Sequence, residues 1–299
     1  MKVDKSRRYF LEQAGKGFVT LALLGAGVKG AELVDKTMTK LEPIWGNNIL
    51  PKGPAYDKWT NEEKIAFRRE VAKDRFRFGS KAQNKRKWWY EIVAELGLTP
   101  QIYKLSCEFN CLYNLLQIKG IGNFSNGTKI TEQELIDITP INVNPNLGRP
   151  KNLDADWGNC PPDDYGIYAK ALARSIAPYL PTGVTLNAFD SSNFNPDGQD
   201  IREQYRTLFL QQSLKGPFMF WFQQEITYGT VNYYDSENGQ NVLTAPTEHC
   251  GICVAATGKY VLYIDPLNLG MYTMNMDGEN GLIARAQNVG FNMLSVSRN

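Results

Sequence analysis

The stretch EHCGICVAATGKYVLYIDP, residues 248–266, holds the pattern from which the fold is inferred. The turn signal Gly258-Lys259 separates two apolar runs, which predicts a buried antiparallel hairpin. His249 is the single histidine of the 299 residues, and Asp265 ends the second run. Regular pairing about the turn places Asp265 nearer Ile252 than His249. A contact between the imidazole and the carboxylate therefore needs a diagonal approach or a β-bulge.

A second stretch, SCEFNCLYNLLQIKG at 106–120, has the apolar periodicity of a largely buried helix. Ser106 is a candidate N-cap and Gly120 a stop, so we expect the helix to begin at Cys107. A thiol in the first turn lies among unpaired backbone N–H groups at the positive end of the helix dipole, which lowers its pKa. Cys111 lies one turn further in on the same face, where a thiol behaves as a small apolar group. Cys107 is the better candidate nucleophile.

A thiolate nucleophile needs a base, a group that orients the base, and donors for the oxyanion of the tetrahedral intermediate. His249 is the only available imidazole, and Asp265 could fix its tautomer. The backbone N–H of Cys107 and the side-chain amide of Gln101, six residues upstream, are candidate oxyanion donors. Each feature is weak alone, but the order Gln, Cys, His, Asp is more specific.

This order resembles that of the papain-like cysteine peptidases, most closely the bacterial subgroup related to bacteriocin-processing, double-glycine peptidases. The resemblance covers about residues 100–275. It implies an α+β fold in which the nucleophile-bearing helix packs on an antiparallel sheet. It also implies Cys107 as nucleophile, His249 as base, Asp265 as orienting group and Gln101 as oxyanion donor. Many relatives have a small residue after the nucleophile, whereas this chain has Glu108.

Three segments are predicted along the chain. Residues 1–31 resemble a twin-arginine export signal, with Arg7 and Arg8 before a short apolar run. Residues 32–99 form a basic helical extension, and 100–299 the papain-like domain. We therefore expect an exported bacterial protein, periplasmic or extracellular, whose partners are the twin-arginine machinery and a peptide or protein substrate. No apolar run reaches the ~20 residues of a spanning helix, so no stable membrane span is expected after processing.

Other functions use the same residues differently. Cys107, Cys111, His249, Cys250 and Cys253 could supply zinc ligands, but Cys250 and Cys253 should point to opposite faces of a strand. We therefore expect neither a metal nor another cofactor. A catalytically inactive papain-like binding protein remains the second alternative. The basic, aromatic extension is interpreted as a solvated helix face rather than a nucleic-acid site. The chain has five cysteines, one of them Cys160 in a predicted loop, and an odd number leaves at least one thiol without a partner in the same chain. Which cysteines pair therefore stays open.

Overall fold

The structure is a computed structural model that describes residues 97–154, 166–194, 200–224, 230–236 and 238–298. The export signal at 1–31 and the helical extension, up to residue 96, lie outside these residues, as does Cys160. The segment boundaries and the export route therefore stay predictions. Within the described ranges, no helix is both long enough and apolar enough to cross a membrane.

Five α-helices and eight strands make up the regular structure of the described residues. The helices are α1 Cys107–Ile118, α2 Glu132–Asp137, α3 Ala169–Ile176, α4 Ile201–Lys215 and α5 Leu282–Gln287. The strands are β1 Val184–Phe189, β2 Phe218–Gln223, β3 Val231–Asp235, β4 Gln240–Thr244, β5 Glu248–Ala256, β6 Tyr260–Ile264, β7 Met271–Asn275 and β8 Met293–Arg298. The short 3₁₀ turns are Ala177–Tyr179 and Ser191–Asn193.

Six strands form one antiparallel sheet in the order β1-β8-β2-β5-β6-β7, and β3 pairs with β4 in a separate two-stranded ribbon. Strand β2 lies near the centre of the large sheet and is buried along its whole length. Its first five residues, FMFWF, are all apolar, as expected of a strand covered on both faces, and the buried Gln223 at its end donates a hydrogen bond to the carbonyl of Pro246. This mixture of helices and an antiparallel sheet agrees with the predicted α+β class.

Helices cover both faces of the large sheet. Helix α1 packs on one face of β5 and β2, and we call this side of the sheet the first layer. The strand residues buried in the first layer include Trp221, Cys250 and Ile252. Helix α4 packs on β5 from the opposite face, the second layer, with the alternate residues Phe220 and Phe222. The expected packing of the Cys107 helix on an antiparallel sheet is therefore present.

The predicted limits of α1 agree with the structure, and α4 begins at a residue suited to start a helix. Helix α1 begins at Cys107, and Gly120 just beyond its end has a φ of +75°, a conformation that glycine adopts without strain. Helix α4 begins after Asp200, whose side chain accepts a hydrogen bond from the backbone N–H of Arg202, as expected of an N-cap.

Candidate functional site

The hairpin of β5 and β6 contains the bulge that a His249–Asp265 contact requires. Ile252 pairs with Ile264 and Cys253 with Tyr263, but the register then shifts between Cys253 and Ala255. The extra residue on β5 moves Asp265 one position closer to His249 than regular pairing would. Because side chains alternate along a strand, this one-residue shift also brings the carboxylate to the same face as the imidazole.

The resulting contact joins His249 Nε2 to Asp265 Oδ1 at 3.2 Å, with both residues buried. Asp265 Oδ1 also accepts a hydrogen bond from the backbone N–H of Leu267 at 2.8 Å, which fixes the carboxylate. The edge of the imidazole packs against Phe222, with ring centroids 5.5 Å apart and an interplanar angle of 79°. The ring of His249 is thus held on two sides, which sets the orientation of the base.

Cys107 is the first residue of α1 and is 5% exposed. Its sulfur accepts a hydrogen bond from the backbone N–H of Cys250, the residue after His249. The thiol belongs to the first layer, whereas the His249 ring packs on Phe222 of the second layer. The candidate nucleophile and base therefore approach β5 from opposite faces, at the neighbouring residues Cys250 and His249.

The pKa of Cys107 differs from the sequence-based expectation. Burial raises the pKa of this thiol well above its ordinary value, and the nearby carboxyls of Glu108 and Glu248 raise it further. The lowering predicted from the helix N-terminus is therefore outweighed, because desolvation and negative neighbours both disfavour a thiolate. Activation of Cys107 has to come from a positive charge on His249 or from protonation of the two glutamates.

The buried carboxyls of Glu108 and Glu248 flank the site, and no sequence motif marks either residue. Glu108 follows the nucleophile and Glu248 precedes the histidine, so sequence adjacency was the available signal. The pKa values of both are raised by burial, and Glu108 raises that of Glu248 further. Gly166 donates its backbone N–H to Glu248 Oε2 at 3.2 Å, and a Cβ at that position would overlap Glu108 Oε1. Both oxygens of Glu108 and Oε1 of Glu248 are buried, and the two carboxyls interact with each other.

Raised carboxyl pKa values predict a folded state that is stabilised by acid. The contribution is fully present below the ordinary glutamate pKa and is lost as pH rises through the raised pKa of the folded protein. We expect Glu108→Gln, which removes one carboxylate but keeps its shape, to flatten the fall in unfolding free energy as pH rises from the ordinary glutamate pKa through the raised pKa values of the pair. Urea unfolding across that range measures it, with exposed Glu279→Gln as the matched control. A pH dependence equal to that of the unsubstituted protein would contradict the carboxyl pair.

Gln101 is buried beside the Asp265 turn, since its backbone N–H donates to the carbonyl of Pro266 at 2.8 Å. Its side-chain Nε2 donates to the carbonyls of Tyr103 and Lys104, at 2.7 and 2.9 Å. In this arrangement the amide holds the loop before the nucleophile. To act as an oxyanion donor, Gln101 has to give up one of these two bonds.

Glu132 organises the same loop and was not found from the sequence. Its carboxylate accepts hydrogen bonds from the backbone N–H of Ile102 at 2.9 Å, from Ser106 Oγ at 2.5 Å and from Asn110 Nδ2 at 2.7 Å. These bonds tie the start of α1 to α2. Ser106 occupies the N-cap position without a capping side-chain bond, because its hydroxyl is used here. No short motif marks a buried glutamate of this kind.

Cys250 and Cys253 lie in different layers, as strand alternation predicted. A Cys-x-x-Cys pair on opposite faces of a strand cannot close on one zinc ion. Among the residues that the structure describes, no group of three or more His, Cys, Asp or Glu side chains is arranged to hold a metal ion.

Comparison with known proteins gives one distant structural likeness. No protein-family model matches the chain, and no curated protein matches it. A crystal structure titled as a "putative C39-like peptidase" from Bacillus anthracis is similar over 66% of this chain and 90% of its own, with a TM-score of 0.48 and 18% identity. The roles of the site residues therefore have to be derived from their own geometry.

Proposed function

We propose that this chain is a cysteine peptidase or amidase of the papain-like type, exported by the twin-arginine route and acting on peptide or amide bonds outside the cytoplasm. The observation that supports it most is the buried contact between His249 Nε2 and Asp265 Oδ1, made possible by the β5 bulge. A single histidine oriented by a carboxylate and a helix-starting thiol against the next residue of its strand are two of the parts that thiol acylation needs, and the reaction also requires the imidazole to come within hydrogen-bond reach of the sulfur.

In the proposed reaction His249 takes the proton of the Cys107 thiol, and the sulfur attacks the substrate carbonyl carbon. The oxyanion of the tetrahedral intermediate accepts a hydrogen bond from the backbone N–H of Cys107. The Gln101 amide donates a second one if it leaves the carbonyls of the loop. His249 then protonates the leaving amine as the C–N bond breaks. Water, deprotonated by His249, hydrolyses the thioester and returns the thiol. Asp265 stabilises the imidazolium during both steps.

One observation favours the second candidate, an inactive papain-like binding protein. Cys107 is buried between two carboxyls that oppose its ionisation, an environment that suits an unreactive thiol. In such a protein the helix and hairpin would serve only as a scaffold for binding a peptide.

Selective alkylation separates the two candidates. If His249 activates Cys107, limiting iodoacetamide should label Cys107 before the other four cysteines, and His249→Ala should slow this labelling about tenfold or more. Cleavage after Glu108 places Cys107 and Cys111 on different peptides for mass spectrometry. The second-layer variant Cys253→Ser is the control and should leave Cys107 labelling unchanged.

Each other outcome has a definite meaning. Labelling of Cys107 that does not depend on His249 would contradict activation by this imidazole. Selective, His249-dependent labelling without hydrolysis of a diverse peptide library would favour the binding protein. Export is tested separately, because Arg7→Lys with Arg8→Lys should hold the protein in the cytoplasm if the twin-arginine route is used.

A further inference from the structure

Three thiols meet between α1 and β5 in the first layer of the fold. Cys107 and Cys111 are one helical turn apart and lie on the same face of α1, because residues four apart are neighbours on a helix. Both pack with Cys250 of β5 in one buried cluster. Cys253, three residues along the same strand, lies in the second layer and outside this group.

The contacts within the group are specific. The side chains of Cys111 and Cys250 lie close enough to interact directly, both are fully buried, and the Cys250 thiol also points to the carbonyl of Gly251 at 4.0 Å. The sulfur of Cys107 accepts a hydrogen bond from the backbone N–H of Cys250. A negative charge on Cys107 would also raise the pKa of the Cys250 thiol. Cys107 is the most exposed of the three, at 5%. An oxidant entering from the surface therefore meets Cys107 before the pair behind it.

We propose that Cys107, Cys111 and Cys250 form a thiol relay that carries oxidation of Cys107 inward, ends in a Cys111–Cys250 disulfide and returns Cys107 to its thiol form. The relay would work whether or not the chain hydrolyses amides. Its product is a cross-link between the helix that starts at Cys107 and the strand that carries His249.

The chemistry balances with one peroxide. Hydrogen peroxide transfers an oxygen to Cys107, giving a sulfenic acid and water. The Cys250 sulfur attacks the Cys107 sulfur, and hydroxide leaves with the Cys250 proton as a second water. Cys111 then attacks the Cys250 sulfur, and Cys107 leaves as a thiol with the proton of Cys111. Two thiols have lost two electrons, which one peroxide has accepted.

Position, rather than high reactivity, makes the relay effective. Burial raises the pKa of all three thiols, so the thiolate fraction is small and the exchange steps should accelerate with rising pH. All three thiols lie in the first layer, and Cys107 and Cys111 each act on Cys250. A sulfenic acid at Cys107 therefore meets a second thiol inside the fold before a second peroxide reaches it.

The test treats the full-length protein with equimolar to tenfold hydrogen peroxide and measures intact mass and peptide masses. We expect a loss of about 2 Da, a peptide pair joined through Cys111 and Cys250, and Cys107 still open to iodoacetamide. Cleavage after Glu108 separates Cys107 from Cys111. Making the measurement in Cys253→Ser leaves Cys250 as the one cysteine of its own peptide after cleavage at Glu248.

The variant Cys250→Ser removes the central thiol and should leave Cys107 to gain about 32 Da as a sulfinic acid, at least about fivefold faster than in the unsubstituted protein. Cys250→Ala, with near-UV circular dichroism to check the fold, repeats the comparison without a buried hydroxyl. Equal rates of Cys107 over-oxidation in the folded variant and the unsubstituted protein would overturn the relay. So would a disulfide that joins Cys253 or Cys160 in place of Cys111.

These readouts do not depend on hydrolysis. If the protein hydrolyses peptides and Cys107 is over-oxidised at the same rate in Cys250→Ser, the relay proposal is wrong and the peptidase proposal stands. An inactive protein that forms the Cys111–Cys250 disulfide would keep the relay and lose the peptidase.

Discussion

Cys107→Ala should lower hydrolysis of a responsive peptide amide by about 1,000-fold or more, because the reaction loses the atom that forms the thioester. Cys107 is buried, with 5% of its surface exposed, but the substitution removes only one sulfur at the start of α1. We therefore expect the fold to persist. The measurement is initial rate with a substrate selected from a diverse fluorogenic peptide library.

Cys111→Ala is the matched control for this change. It removes the same atom one turn deeper on the same helix face, from a residue that is fully buried. We expect it to retain at least about a third of the rate, since only the sulfur at the helix start acts as nucleophile. A rate for Cys107→Ala within tenfold of the unsubstituted protein would remove Cys107 from the reaction.

Asp265→Ala should lower the same rate by about 100-fold or more, whereas Asp265→Asn should remain within about tenfold. The reason is the geometry of Oδ1, which accepts both the backbone N–H of Leu267 and His249 Nε2. In Asp265→Asn the Leu267 N–H should hold the amide oxygen in that place. The oxygen still accepts the imidazole N–H, so the ring keeps its orientation, although the imidazolium loses a negative partner.

The pH profile of the rate adds a second readout for this pair. Because the asparagine amide carries no charge, the imidazolium loses its negative partner in Asp265→Asn, and the pH profile of the rate should shift relative to that of the unsubstituted protein. Asp277→Ala, which removes an exposed carboxylate bonded to Arg206, is the control and should leave the profile unchanged. Equal losses in the alanine and asparagine variants, without a shift in the profile, would mean that Asp265 does not act through His249.

The glutamate pair changes how the site is expected to respond to pH. Glu108 and Glu248 lie beside Cys107 and oppose its ionisation when they are charged. Their own raised pKa values, caused by burial, favour the neutral forms. A neutral pair places no negative charge beside the thiolate, so protonation of the glutamates and ionisation of the thiol are linked.

Local patterns were sufficient for several parts of the fold. The periodicity after Ser106 predicted a buried helix starting at Cys107, and the apolar runs about Gly258 predicted the β5–β6 hairpin. Strand alternation placed Cys250 and Cys253 on opposite faces. These features depend on neighbours within one or two turns or one strand, where spacing alone decides which side chains share a face.

The sequence allowed either a diagonal approach or a β-bulge between His249 and Asp265, because the register of a hairpin depends on how both strands pack in the sheet. The buried neighbours of Cys107 could not be inferred either. Its position at a helix start predicts a lowered pKa, but Glu248 becomes its neighbour only when β5 packs on α1, and the adjacent Glu108 is buried only in the same assembled core. Desolvation is a property of the assembled core, and here it outweighs the local dipole.

The sequence by itself determined that a cysteine begins a buried helix and that the single histidine begins a hairpin closed by an aspartate. Only the tertiary structure decided that His249 contacts Asp265, that Gln101 donates to loop carbonyls and that three thiols share one layer. The physical reason is range. Helix and strand periodicity act between residues close in sequence, whereas the β5–β6 register and the bonds of Gln101 depend on how the strands and the loop pack in the folded chain. The three thiols share a layer because α1 packs on β5, a segment more than a hundred residues away.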